Sequence, residues 1–202
     1  MLTKFKAKVQ SAIKTQAKAA NKVGLTPNMV SAIGIVLAIF SALSYANGRQ
    51  SITLALAVVL LFLSGYCDIL DGALARLCQK ATPLGGLLDS LLDRYADSAV
   101  YVGIILGGLC SVSWGLIAII GSLLVSYSRA RAEAAGVKME TVGLVERAER
   151  IIIISAASIA EIFFVGIMEA GMILLAVLTN LTVLQRSLYA YKILKKKGET
   201  EG

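Results

Sequence analysis

Hydrophobic residues occur along the chain in six long runs separated by short polar segments. The runs cover residues 28–46, 52–76, 84–109, 113–134, 150–168 and 170–192. An α-helix needs roughly 20 mainly apolar residues to cross the hydrocarbon layer of a bilayer, and each run is about that long. The pattern therefore predicts an all-α integral membrane protein with six transmembrane helices.

Two Thr-Pro pairs indicate where predicted helices begin. Thr26 precedes Pro27, and Thr82 precedes Pro83. A threonine can cap the amino end of a helix with its hydroxyl, and proline is favoured at the first helical position. We therefore expect the first and third spans to begin at these prolines.

The N-terminal segment, residues 1–24, has apolar residues at helical spacing between Leu2 and Val23, with six lysines distributed around them. This arrangement predicts an amphipathic helix on the membrane surface, although a solvated basic tail would show a similar pattern. No internal repeat or second soluble domain follows. We expect a single membrane domain, 1–202, in which an interfacial helix, 1–24, precedes a six-helix bundle, 25–195.

Composition supports a membrane location and removes several kinds of chemistry. The chain is 57% hydrophobic with a mean hydropathy of +0.76, above the ~45–50% apolar content of soluble domains. A net charge of +7 with only 6% aromatic residues suits an anionic membrane better than nucleic acid, so no nucleic-acid partner is expected.

The absence of histidine excludes histidine-based acid/base catalysis. The three cysteines form no CxxC pair and indicate neither a disulfide framework nor a zinc site.

Basic residues predict the orientation in the membrane. Six spans place both termini on one side, and the lysine-rich ends assign that side to the cytoplasm. Basic residues also follow the second and fourth spans, whereas Arg49 is the only one expected outside. We therefore expect a multi-pass protein of the cell membrane with both termini and the active site on the cytoplasmic side.

Four aspartates lie within the second and third predicted spans, where ionised groups cost about 2.5–3.5 kcal/mol each. Asp68 and Asp71 are three residues apart, and Asp89 and Asp93 are four apart. Each spacing puts its pair on one helical face. Two antiparallel helices joined by a short loop can turn these faces together, and four carboxylates so placed require positive charge.

Hard divalent cations match an all-oxygen site, and Mg²⁺ is commonly shared between carboxylates, water and substrate phosphates. The alternative is neutralisation by Arg76 and Arg94, but two arginines are too few for four carboxylates. Asp97 lies one turn beyond Asp93 and is interpreted as an ion-pair or hydrogen-bond partner rather than a metal ligand.

The aspartates belong to a longer pattern that resembles the signature of the CDP-alcohol phosphotransferase family: Asp68-x2-Asp71-Gly72-x2-Ala75-Arg76-x8-Gly85-x3-Asp89-x3-Asp93. The resemblance covers nearly the whole chain. It implies six membrane helices, usually in a homodimer, and two Mg²⁺ or Mn²⁺ ions bound by the four aspartates, with Asp93 also acting as the base that deprotonates the acceptor hydroxyl.

The same resemblance implies a set of residues in contact with the CDP-lipid. Gly72 and Ala75 lack bulky side chains, which would let a nucleotide or phosphate approach the helix. The implied contacts are Asn28, Met29, Val30, Ser31, Asp68, Gly72, Ala75, Arg76, Thr82 and Gly85. Asn28 could instead serve only as a residue at the start of a helix.

Residues 126–133 and 146–150 indicate the acceptor. They resemble the branch of the family that transfers to inositol phosphate, in which positions matching Arg129, Arg147 and Arg150 bind the acceptor's phosphate. Guanidinium groups suit a phosphomonoester, although single arginines here could also be positive-inside anchors. Arg129 stands where lysine is common, and Ala148 where proline is common. Glycerol phosphate or serine as acceptor, and a cation transporter as a different class, are the alternatives; the donor lipid could be diacyl or archaeol-type.

Overall fold

The structure is a computed structural model that describes residues 13–78, 82–139 and 142–201, with side chains described as far as residue 197. Within these ranges it contains seven helices and no strand. Part of the predicted interfacial helix, residues 1–12, lies outside them. The helices are α1 (13–22), α2 (Pro27–Ala46), α3 (Ser51–Leu77), α4 (Pro83–Leu106), α5 (Val112–Ala134), α6 (Arg147–Phe163) and α7 (Ile167–Glu201).

Four of these helices, α2, α3, α5 and α7, are long and apolar enough to cross a membrane. Only 28–39% of their most apolar windows is buried inside the protein, so most of that apolar surface faces outward, as a bilayer requires. α4 and α6 follow the same hydrophobic runs but include charged residues, among them Asp89, Asp93, Arg147 and Arg150. The chain is thus an all-helical membrane protein.

The helix starts confirm the Thr-Pro prediction. The Thr26 hydroxyl accepts a hydrogen bond from the Met29 amide at 3.3 Å, and the Thr82 hydroxyl accepts one from the Gly85 amide at 3.0 Å. Each proline is the first residue of its helix. Local capping chemistry therefore decides these two boundaries.

The predicted fifth span, 150–168, was wrong at both ends, because α6 runs from Arg147 to Phe163. A reciprocal capping box of Glu146 and Glu149 starts the helix earlier. An extended residue at Phe164 and a positive φ of 99° at Gly166 end it earlier. The apolar run continues through this turn, which hydropathy alone cannot detect. The predicted sixth span ended at 192, whereas α7 continues to Glu201.

α2 is central to the packing, since it contacts both α3 and α4, while α3 and α4 do not pack directly on each other over the described residues. α6 packs against α3 and α7, and α5 packs against α4 and α7. The close approach of α2 and α4 requires Gly103, where a Cβ atom would overlap the Ala42 backbone. The acidic faces of α3 and α4 therefore meet across a space that α2 bridges.

α1 docks against the ends of α2 and α3 that lie near the aspartates. Ala17 is fully buried and clusters with Val30 and Leu74, and the Tyr66 hydroxyl donates to Gln16 Oε1 at 2.8 Å. Its lysines at positions 14, 18 and 22 are all exposed. The described part of the basic segment is therefore a packed helix rather than a solvated tail.

The opposite end of the bundle is held together by Glu161. Its buried carboxylate accepts hydrogen bonds from the Gly166 amide at 2.9 Å and the Met168 amide at 2.8 Å. Arg49, in the connection between α2 and α3, donates its Nε to the same carboxylate at 3.0 Å. This one side chain thus joins the α6–α7 turn to the α2–α3 connection.

Candidate active site

Carboxylates from α3 and α4 converge where these helices approach α2. One oxygen each of Asp68, Asp71 and Asp89 lies within 4.8 Å of the other two. The donor set is entirely oxygen, which suits Mg²⁺ or Mn²⁺ and does not suit metals that prefer nitrogen or sulfur ligands. The residues therefore fit the divalent metal that the sequence led us to expect.

Asp71 is held in place by α2. It is only 4% exposed, and its Oδ2 accepts a hydrogen bond from the Ser31 hydroxyl at 2.6 Å. Ser31 was expected from the sequence to contact the CDP-lipid, and its hydroxyl here orients a carboxylate. Such a bond fixes the direction of a ligand oxygen before any metal binds.

Asp93 lines the same cavity as the other three aspartates, but its carboxylate is paired with an arginine. Arg147 Nη1 donates to Asp93 Oδ1 and lies 2.8 Å from Asp68 Oδ1. The arginines considered from the sequence for this neutralisation were Arg76 and Arg94. The structure instead uses Arg147, which is 54 residues from Asp93 along the chain.

The interpretation of Asp97 as an ion-pair partner is confirmed. Its Oδ2 lies 2.6 Å from Arg150 Nη2, and its Oδ1 lies 3.5 Å from Arg147 Nε. Both arginines extend from the first turn of α6. Asp97 thus fixes the start of α6 against α4, next to the carboxylate cluster.

On one side of the cluster lies a cleft of about 210 Å³ between α2, α3 and the start of α4. Most residues expected to contact the CDP-lipid line it: Asn28, Ser31, Gly72, Ala75, Arg76, Thr82 and Gly85. Three others lie elsewhere. Val30 is buried against α1 and α3, Met29 is half exposed outside the cleft, and Asp68 lines the carboxylate cavity.

On the other side lies a second cavity, of about 190 Å³, which we call the arginine pocket. It brings together the three arginines expected to bind the acceptor phosphate. It adds Arg94, which the sequence suggested only as a counter-ion of the carboxylates, and Arg186, which the sequence analysis missed. Its charged lining consists of Arg94, Arg129, Arg147, Arg150 and Arg186 with Asp93, Asp97 and Glu146.

Arg186 holds the wall of this pocket together. It is 2% exposed, and it donates to the carbonyls of Val125 and Val142, each at 2.7 Å, and to Glu146 Oε1 at 3.0 Å. Because an arginine within an apolar run is costly, its position in the last hydrophobic run was the signal that could have identified it.

Two buried donors in this region, Arg147 Nε and Arg150 Nε, make no hydrogen bond within the described residues, although Arg147 Nε lies 3.5 Å from Asp97 Oδ1. Arg129, by contrast, is paired with Glu133 at 3.0 Å and lies 3.6 Å from Glu146. Buried donors are normally satisfied, so these Nε–H groups have unused capacity to donate to an anion or to water.

These features define a class of protein: a helical membrane protein whose carboxylate site is bordered by two polar cavities, one of them lined by five arginines. The family model described as CDP-alcohol phosphatidyltransferase matches residues 24–184, and the chain belongs to this family. It is a phospholipid-synthesising transferase.

The chain is similar to archaetidylinositol phosphate synthase of Methanothermobacter thermautotrophicus, with 41% identity over 87% of this chain and 88% of the relative. It also resembles a crystal structure of Mycobacterium tuberculosis phosphatidylinositol phosphate synthase with CDP-DAG bound, at 31% identity and a TM-score of 0.78, covering 89% and 93% of the two chains. The same enzyme in complex with manganese and citrate gives a TM-score of 0.77 at 31% identity, covering 89% and 88%.

Proposed function

We propose that this protein transfers the phosphatidyl-type phosphate of a CDP-lipid to a hydroxyl of inositol phosphate and releases CMP. The donor carries a diacylglycerol or an archaeol group. One observation carries the proposal: Asp93 and Arg147 stand where the carboxylate cavity and the arginine pocket meet. The reacting hydroxyl of an acceptor whose phosphate lies among arginines would therefore reach the aspartates.

The relatives support both substrates. The relative at 41% identity is an archaetidylinositol phosphate synthase, and the enzyme from M. tuberculosis, a phosphatidylinositol phosphate synthase, has been solved with CDP-DAG bound. In this chain, the cleft beside Gly72, Arg76 and Thr82 is the counterpart that would receive the cytidine diphosphate. Its bare helix surface at Gly72 and Ala75 leaves room for the phosphates.

Asp68, Asp71 and Asp89 would hold Mg²⁺ or Mn²⁺, with Asp93 as the fourth ligand of a two-ion site. The convergence of three carboxylate oxygens within 4.8 Å supports this assignment, as does the manganese complex of the M. tuberculosis enzyme. The bound metal would supply positive charge that offsets the diphosphate and stabilises the departing CMP.

Asp93 would serve as the base. It accepts the proton of the acceptor hydroxyl, whose oxygen forms a new bond to the lipid-side phosphorus. The bond between that phosphorus and the oxygen bridging to the cytidylate phosphate breaks, and CMP leaves with that oxygen. The phospholipid product keeps its hydrocarbon chains in the bilayer throughout.

The arginine pocket would bind the acceptor's phosphate through Arg129, Arg147 and Arg150. The excess of arginines over carboxylates in its lining favours an anionic ligand over neutral inositol or serine. Glycerol phosphate would satisfy the same charges, and the resemblance to inositol-phosphate enzymes favours the larger acceptor. Family membership argues against a cation transporter.

We also propose six membrane spans, formed by α2 to α7, in a single domain with α1 on the cytoplasmic membrane surface. The exposed lysines of α1 and the basic residues near the site support a cytoplasmic location for both termini and the active site. A homodimer is proposed from the family resemblance, and chemical cross-linking in membranes would test it.

The deciding experiment measures CMP release by purified protein supplied with CDP-diacylglycerol or CDP-archaeol and a panel of acceptors. Inositol phosphate should give the highest kcat/KM, well above inositol, serine and glycerol phosphate. A preference for any of these three would refute the acceptor assignment. Absence of CMP release with every acceptor and both donors would refute the proposed reaction.

A further inference from the structure

The side chain of Arg147 lines two cavities. Among the described residues, only Asp93 and Arg147 line both the carboxylate cavity and the arginine pocket. Arg147 is the first residue of α6, and its side chain is only 17% exposed. Its guanidinium group therefore forms part of the wall that separates the proposed metal site from the proposed phosphate site.

The guanidinium group lies on the metal side of this wall. Nη1 contacts Asp68 Oδ1 at 2.8 Å and also donates to Asp93 Oδ1. Both carboxylates are proposed metal ligands. A divalent cation held by these carboxylates would compete with Nη1 for their negative charge and would repel the guanidinium group. Metal binding would therefore weaken the contacts of Arg147 with these two aspartates.

The other side of the guanidinium group leaves bonding capacity unused. Arg147 Nε is buried without a hydrogen bond and lies 3.5 Å from Asp97 Oδ1. Asp97 also lines the arginine pocket. A small turn of the side chain away from Asp68 would keep Asp97 as a partner while directing more N–H groups into the arginine pocket.

We infer that Arg147 couples the two sites: it is the counter-ion of Asp68 and Asp93 without metal, and metal binding releases it to complete the phosphate site. The inference rests on the proposed function. Its consequence is positive cooperativity, in which metal tightens phosphate binding and phosphate tightens metal binding by the same factor. Such couplings are typically about 5- to 150-fold.

The test measures binding without turnover. Calorimetry on the detergent-solubilised full chain, with no CDP-lipid present, gives the Kd of inositol phosphate with and without Mn²⁺, and the Kd of Mn²⁺ alone. In the wild-type protein, Mn²⁺ should lower the Kd of inositol phosphate by roughly tenfold or more. In Arg147→Gln, the Kd of inositol phosphate should be nearly the same with and without Mn²⁺. Mn²⁺ alone should bind to this variant more tightly than it binds to the wild-type protein.

Arg150→Gln is the matched control. Arg150 lines the same pocket and starts from the same helical turn, but its acidic contact is Asp97 rather than Asp68 or Asp93. The Arg150→Gln variant should bind inositol phosphate more weakly than the wild type both with and without Mn²⁺. The ratio of these two Kd values should stay as in the wild type. Arg147→Lys, which retains the charge on a shorter side chain, should keep part of the coupling.

If Arg147→Gln is unstable without metal, all variants are purified with Mn²⁺, and the shift in Tm on removal of Mn²⁺ is compared between them. This shift should be largest for Arg147→Gln.

The possible results separate the inference from the proposed function. Wild-type coupling that persists in Arg147→Gln would show that metal contacts the phosphate directly, which would overturn the role of Arg147 and leave the reaction standing. Weaker Mn²⁺ binding in Arg147→Gln would also overturn it. A wild-type protein that binds no inositol phosphate even with Mn²⁺ would refute the proposed function together with the inference.

Discussion

Replacing Arg150 with alanine tests the arginine pocket most directly. Arg150 is 5% exposed, and it forms an ion pair with Asp97 at 2.6 Å, outside the carboxylate cavity. The change should raise the KM for inositol phosphate and leave the KM for the CDP-lipid near its wild-type value, because the cleft proposed to bind the nucleotide lies on the other side of the aspartates.

The magnitude follows from the contacts that are lost. A hydrogen bond to a charged group contributes about 1.5–3 kcal/mol, so one lost arginine–phosphate bond corresponds to a rise in KM of roughly 10- to 150-fold. Stability should fall as well. Removing one partner of a buried ion pair costs about 3–5 kcal/mol, and Asp97 would keep only its longer contact with Arg147.

Initial rates of CMP release at saturating CDP-lipid, with inositol phosphate varied, give the KM, and thermal unfolding in detergent gives the stability. Arg49→Ala is the matched control, since it also removes an arginine from a carboxylate, Glu161, at the opposite end of the bundle. It should lower stability without changing the KM for inositol phosphate. A KM unchanged in Arg150→Ala, or raised equally for both substrates, would refute the assignment of the pocket.

Three further predictions follow from the site and the packing. EDTA should abolish CMP release, and Mg²⁺ or Mn²⁺ should restore it, because the clustered carboxylates cannot approach a diphosphate without positive charge between them. Asp93→Asn should lower kcat by about 10²- to 10⁴-fold, the usual contribution of a general base, while CDP-lipid still binds. Gly103→Ala should destabilise the protein by about 1–3 kcal/mol, because the new methyl group meets the Ala42 backbone, whereas Gly86→Ala, with open space at its Cβ, should not.

Each of these has a clear contrary result. Full turnover in excess EDTA would remove the metal from the mechanism. Normal CMP release by Asp93→Asn would mean that another group takes the proton. Equal melting temperatures for the two glycine variants would show that α2 and α4 can separate at little cost.

Local patterns in the sequence predict the helices well because their causes are local. The hydroxyls of Thr26 and Thr82 act within one turn, so the starts of α2 and α4 could be predicted directly. The turn at Phe164 to Gly166 could not, since it depends on the Glu161 side chain, which accepts from the amides of Gly166 and Met168 and which a hydropathy pattern does not reveal.

The carboxylates of the site could also be predicted from the sequence, because spacing determines which side chains share a helical face. The arginines that pair with these carboxylates could not be predicted in this way. Arg147 reaches Asp68 and Asp93 from a different helix, and Arg186 reaches the carbonyls of Val125 and Val142 across similar distances in sequence. Such contacts depend on how α6 and α7 pack, which no periodicity within one segment specifies.

The Glu161 contacts imply that the two ends of the bundle differ in stiffness. Its carboxylate is bonded to the α6–α7 turn and to Arg49, whereas the end that carries the aspartates has cavities on both sides of them. We therefore expect the α6–α7 turn and the α2–α3 connection to move as one unit, whereas the helices at the opposite end are joined by side chains that also line the two cavities. In hydrogen-exchange measurements, the amides of Gly166 and Met168 should remain protected while those at the start of α6 exchange.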